Sequence, residues 1–108
     1  MGSFRSKGTG DLDAVNEAVT VEVRQLDNAA VGVQVTGTFS ATVLVEATMD
    51  GTNWTTYAFV NCGSGATETS ITAVGQYRTE LVGVHSVRAR MSARSSGTAV
   101  VTVVVQGN

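Results

Sequence analysis

From Ala18 onward the chain alternates. Val19, Val21 and Val23 are interleaved with Thr20, Glu22 and Arg24, and Val31, Val33 and Val35 with Gly32, Gln34 and Thr36. Val43, Val45, Ala47 and Met49 share one parity, with Thr42, Leu44, Glu46 and Thr48 on the other. Period two is the repeat of a strand with one buried face. The same alternation marks Gln76–Val82, where Tyr77, Thr79 and Leu81 oppose Arg78 and Glu80. It returns at His85–Ala93, where Val87, Ala89 and Met91 oppose Arg88, Arg90 and Ser92. Trp54–Val60 and a weaker Glu68–Ala73 complete the middle of the chain. Thr98–Gln106 is the last strand, after a turn at Arg94–Gly97. No segment keeps a helical period over a helical length.

Turn chemistry separates these runs. Asp27-Asn28 turns the chain, and Asn61–Gly65 is a loop with two glycines. Asp50-Gly51 predicts a two-residue type I′ hairpin, whose central positions both need positive φ. About eight short strands at this spacing predict an all-β fold: a single antiparallel β-sandwich, jelly-roll-like or Greek-key. The expected domain is 18–108.

Residues 1–17 break the pattern. Gly2, Gly8 and Gly10 interrupt them, and Arg5 and Lys7 precede Asp11, Asp13 and Glu17. The expectation is an extended N-terminal arm over 1–17, either a frayed terminus or a segment that docks on a neighbour through Phe4. The last strand departs in another way. Ala99–Val105 places valine on both faces, so Val100 and Val104 need a cover outside the core, from a subunit contact or from the arm.

Composition fits this reading. Hydrophobic residues make up 43% and aromatics only 6%, and valine is the commonest apolar residue, which suits a pleated surface. The chain has no proline, and its one lysine lies outside the alternating region, so the usual blocks on sheet edges are missing. A net charge of −2 argues against nucleic acid. There is no membrane-spanning run and no signal-peptide core. The default compartment is a cytoplasm, and homo-oligomerisation is expected to add stability.

Candidate chemistry is sparse. A catalytic centre needs a nucleophile, a base and an orienting group. His85 is the only histidine and reads as an exposed strand-end residue. Cys62 is the only cysteine, excludes an internal disulfide, and lacks a neighbouring cation to activate it. One His and one Cys make zinc implausible. Asp50, Gly51 and Asn53 imitate part of a calcium loop without its later glutamate. No enzyme activity, metal or cofactor is expected. Arg88, Arg90 and Arg94 share a parity and form a basic stripe, either solvated or a docking surface for acidic groups of a partner. Trp54 and Tyr57 are the candidate sugar-stacking platform, with a place in the core or its lid as the alternative.

Two segments carry a family resemblance. GTFSATVLVEATMDGTNWTTY (37–57) and GQYRTELVGVHSVRARMSARSSGTAVVTVVV (75–105) resemble small β-sandwich modules of tailed-phage virion proteins. The shared features are the Gly-Thr-Phe opening, the Glu-Ala-x-x-Asp-Gly-x-x-Trp hairpin, the Gly-x-Tyr strand, the Val-Arg-Ala-Arg strand and the Ser-Gly-Thr turn. Free-standing, such modules look like head decoration (cement) proteins; embedded, they look like tail-fibre or baseplate parts. The resemblance covers 37–105 and brings no catalytic residues. It implies a structural protein of the capsid surface, bound to the major capsid protein or another virion protein. Phe4, Arg5, Lys7, Arg88, Arg90, Arg94, Val100 and Val104 are the candidate contacts. A carbohydrate-binding module using Trp54 and Tyr57, or a tail or baseplate component, is the alternative.

Overall fold

The structure is a computed structural model, and it describes residues 4–23 and 28–107. The turn expected at Asp27-Asn28 falls partly outside that range. Eight strands form one antiparallel sheet: β1 (Phe4–Leu12), β2 (Ala18–Glu22), β3 (Asn28–Thr48), β4 (Trp54–Thr56), β5 (Phe59–Asn61), β6 (Thr67–Glu68), β7 (Gly75–Val82) and β8 (Ser86–Gly107). There is no helix among the described residues. The order along the sheet is β1-β8-β3-β7-β5-β6, with β2 also on β8 and β4 also on β3.

Two long strands dominate. β3 has 21 residues and β8 has 22, and they pair from Ala29↔Gly107 to Thr48↔Ser86. A straight strand rises about 3.3 Å per residue, so β3 would span roughly 65 Å. The longest dimension of the molecule is 44 Å. The ribbon therefore folds over. The corner lies where Gly37 (φ 100°) and Gly97 (φ 84°) take left-handed backbone. A side chain at Gly97 would run into the Thr38 carbonyl, and one at Gly37 would lie 2.6 Å from the Thr98 carbonyl. Only glycine tolerates both the conformation and the contact. The register also shifts between Ser40/Ala41 and between Thr42/Val43, leaving Ser95 and Ser92 of β8 as extra residues. Such bulges bend a strand.

The fold is β-sandwich-like, with both layers built on one ribbon. One layer holds β1, the later half of β8, the early half of β3, β7, β5 and β6. The other holds β2, the early half of β8, the later half of β3 and β4. The link Gly83–His85 joins the far ends of the two layers. Two extra residues on β8 preserve its inward parity, so Val87, Ala89 and Met91 point into the same core as Ala99, Val101, Val103 and Val105. They meet Val31, Val33, Val35, Val43, Val45 and Ala47 of β3, with Phe59 and Tyr77 edge to face at 5.4 Å.

Three sequence expectations change. Arg94–Gly97 is a bend within a continuous strand rather than a chain reversal, and the alternating runs on either side of Gly37 belong to one strand. Trp54–Val60 is two short strands on different neighbours, because the chain crosses between layers at Tyr57-Ala58. The N-terminal segment is extended but does not stand apart as an arm: Phe4–Leu12 pairs residue by residue with β8, and Leu12 is in the core. The glycines that seemed to break it admit the opposite layer. A Cβ on Gly8 would lie 3.1 Å from Val21 Cγ2, and one on Gly10 would lie 3.0 Å from Val19 Cγ2.

Candidate functional site

Charge concentrates on the outer face of the β2/β8/β3/β4 layer. The register sets Glu46 opposite Arg88 and Leu44 opposite Arg90. Glu46 is only 5% exposed. Arg88 Nε donates to Glu46 Oε1 at 2.7 Å; Arg90 Nε donates to the same oxygen and Nη2 to Oε2, both at 3.0 Å. Arg90 Nη1 also donates to Asn16 Oδ1 at 2.8 Å. Asn16 is held there by left-handed backbone (φ 76°), which Asn tolerates, and by its N–H donating to the Met91 carbonyl at 2.8 Å. Arg88 Cζ lies 4.0 Å from the centroid of the Trp54 ring, a cation–π contact. Burial works to raise the Glu46 pKa, but the hydrogen bonds and charges of Arg90 and Arg88 outweigh it and hold the carboxyl below its ordinary range. Glu46 in turn raises the pKa of Arg90. Four segments are thus clamped around one carboxylate.

The expected basic stripe divides. Arg88 and Arg90 come together, both committed to Glu46. Arg94 lies apart at the corner, exposed, with Nε donating to the Gly97 carbonyl at 3.0 Å. The cause is the first extra residue of β8: beyond Ser92 the parity flips, and Arg94 stands opposite Ala41. Arg78 is on the other layer, opposite Gly32. The side chains of Phe4 and Arg5 lie outside the described residues. Lys7 is exposed on β1 opposite Val104, and Val100 stands opposite Asp11. Val100 and Val104 are half-buried. The N-terminal strand flanks them edge to edge instead of covering them.

Trp54 and Tyr57 have separate roles. Arg88 covers a face of the Trp54 ring, while Tyr57 packs on the core and lines a dip with Ala47, Met49 and Thr55. The hairpin loop is longer than expected. Thr48 pairs with Trp54, so five residues, 49–53, connect the strands, and only Gly51 among them has positive φ (86°). The Asp50 carboxylate organises this loop. It accepts from Asn53 N and Thr52 N at 2.8 Å, from Asn53 Nδ2 at 2.7 Å and from Thr48 Oγ1 at 3.0 Å. These donors, the Asn53 N–H first, hold its pKa far below the usual carboxylate range. The calcium-like spacing is a self-satisfied turn.

Glu22, His85 and Ser86 imitate a catalytic relay. His85 Nδ1 lies 2.7 Å from Ser86 Oγ. Its Nε2 is 4.0 Å from Glu22 Oε2, beyond hydrogen-bond reach, and Ser86 is buried. The backbone of His85 ties the layers together, donating to the Thr48 carbonyl at 2.7 Å and accepting from Val23 N at 2.8 Å. Cys62 is exposed beside a shallow depression of about 220 Å³ that also contains Gly32, Arg78 and Val104. Among the described residues no cluster of three or more His, Cys, Asp or Glu is placed to hold a metal ion.

Sequence parity placed Arg88 and Arg90 on one face. It missed Glu46 and Asn16 as their partners, because those contacts depend on register over 42 and 74 residues of sequence.

No protein-family model matches the chain, and no curated protein matches it. Solved structures do. The SPBc2 prophage-derived protein YomS superposes with a TM-score of 0.68 at 15% identity, over 97% of this chain and 96% of that one. A chain from the disulfide-linked pili of Bacillus endospore appendages superposes with a TM-score of 0.58 at 14% identity, over 98% of this chain and 88% of that one. At these identities the likeness is one of fold.

Proposed function

We propose that this chain is a non-enzymatic structural protein of a tailed-phage virion, a decoration protein that binds the outer shell across major capsid subunits. The supporting observation is the end-to-end fold likeness to a prophage-derived protein. The sequence resemblance over 37–105 points the same way. In this reading the ribbon and its Glu46 clamp form a rigid body, and the shell contacts come from exposed groups such as Arg94 and from the half-buried Val100 and Val104. Binding would stabilise the shell by burying area at subunit joints, multiplied over many copies.

The experiment is to mix the purified protein with empty shells and measure co-sedimentation and shell melting. Saturable binding and a higher melting temperature are expected. Failure to co-sediment overturns the decoration role. Gold-labelled antibody on intact particles separates head from tail: label confined to the tail or baseplate replaces this reading with the tail-component one.

A further inference from the structure

β1 pairs with β8 alone among the described residues, so its other edge runs open. The residues facing that edge follow from the ladder. Cys62 N donates to the Gln76 carbonyl at 2.9 Å, on the β5 side. Gln76 therefore faces away from β3, and its neighbour Tyr77 faces β3. Alternation carried through Tyr77↔Val33, Gln34↔Thr102 and Val103↔Gly8 leaves Gly8 and Gly10 bonded to β8. The peptide groups of Lys7, Thr9 and Asp11 then face outward.

Among the described residues neither a proline nor a bulge blocks this edge. The chain has no proline, and the β1–β8 register runs without a bulge for nine residues. Its charges are arranged symmetrically. Lys7 and Asp11 lie two residues on either side of Thr9, all three side chains are exposed, and neither charge has an ion pair within the described residues. We propose that this edge joins β1 of a second copy, antiparallel, about a two-fold axis at Thr9. Thr9 then meets Thr9 of the other copy, and each Lys7 meets the other copy's Asp11. All three are hydrogen-bonded pairs, because these are the residues whose peptide groups face the edge. A register centred on Lys7 or on Asp11 would set like charges against each other. The two layers containing β1 become one sheet across two sandwiches, an isologous contact. The proposal does not depend on the virion role.

Sedimentation equilibrium of the full chain tests it, up to millimolar concentration. The expected mass rises towards twice 11.1 kDa. Lys7→Asp and Asp11→Lys are each expected to remain monomeric, and the double exchange to dimerise again, with circular dichroism confirming the fold. Rescue by the double exchange is what a general charge effect would not give. A Thr9→Cys, Cys62→Ser variant fixes the register: hydrogen-bonded partners stand about 5.5 Å apart, within disulfide range. Mild oxidation is expected to yield a covalent dimer. A parent chain that stays monomeric, single variants that dimerise as well as the parent, or a folded Thr9→Cys chain that does not cross-link overturns the proposal.

Discussion

Replacing Glu46 by Gln tests whether one carboxylate holds the outer layer together. The substitution keeps shape and removes charge, leaving Arg88 and Arg90 facing an amide. Breaking a buried ion pair by removing one partner costs about 3–5 kcal/mol when the other stays buried. Here the arginine side chains keep 23% and 22% of their exposure, so water partly replaces the lost acceptor. A loss of about 2 kcal/mol is the consistent figure. For a domain near this size that is roughly 8–16 °C in Tm. The effect depends on pH with a definite sign. The folded carboxyl titrates below its ordinary 4.5, so the unfolded chain takes up the proton first as pH falls. The stabilisation is complete above about 4.5 and is lost as pH falls through the folded value. Melting of parent and variant from pH 7 down to about pH 3 should show a wide gap that narrows in acid. An equal Tm at pH 7, or a gap that does not narrow, would refute the clamp.

Three further outcomes follow from the fold. Deleting residues 1–12 removes the partner of Ala99–Gly107 and Leu12 from the core; cooperative melting by circular dichroism should disappear, and a sharp transition near the parent Tm would show β1 to be dispensable. Gly97→Ala places a side chain against the Thr38 carbonyl at positive φ; left-handed backbone alone costs about 1–2 kcal/mol, so a Tm at least 5 °C lower is expected, and an unchanged Tm would relocate the corner. Asp50→Ala removes the acceptor of the Thr52 and Asn53 amides; hydrogen exchange there should accelerate while Val45 and Val101 stay protected, and unchanged exchange would deny the carboxylate its organising role.

The inward face of the chain was legible in the sequence and its layout was not. Period two assigned Val31, Val33, Val35, Val43, Val45, Val87, Ala89 and Met91 to one buried side, because side-chain direction alternates whatever the strand's length. That pattern does not say where a strand ends. Gly37 and Gly97 read equally as turns or as kinks, since positive φ serves both; only pairing across the corner distinguishes them. Gly8 and Gly10 read as flexibility. Their purpose appears only when Val19 and Val21 of the facing layer are packed against them. At the clamp, Arg88 and Arg90 announced a shared face, but the extra residue Ser92 in β8 removed Arg94 from it, and bulges leave little trace in a serine-rich segment.

The central position of β8 governs when this protein can fold. β1 and β2 have no other strand partner among the described residues, and β3, which pairs with β4 and β7 along its other edge, has one edge unpaired without it. Phe4 waits for Gly107, across nearly the whole chain. Closing so long a loop makes the folding of such topologies slow. During synthesis the valine-rich β3 emerges long before Ser86–Gly107, with the edge destined for β8 unsatisfied. A ribosome that stops before β8 releases a half-sheet prone to aggregate. Emergence of β8 is therefore itself the checkpoint for folding, because only then can β1, β2 and the free edge of β3 find their partner.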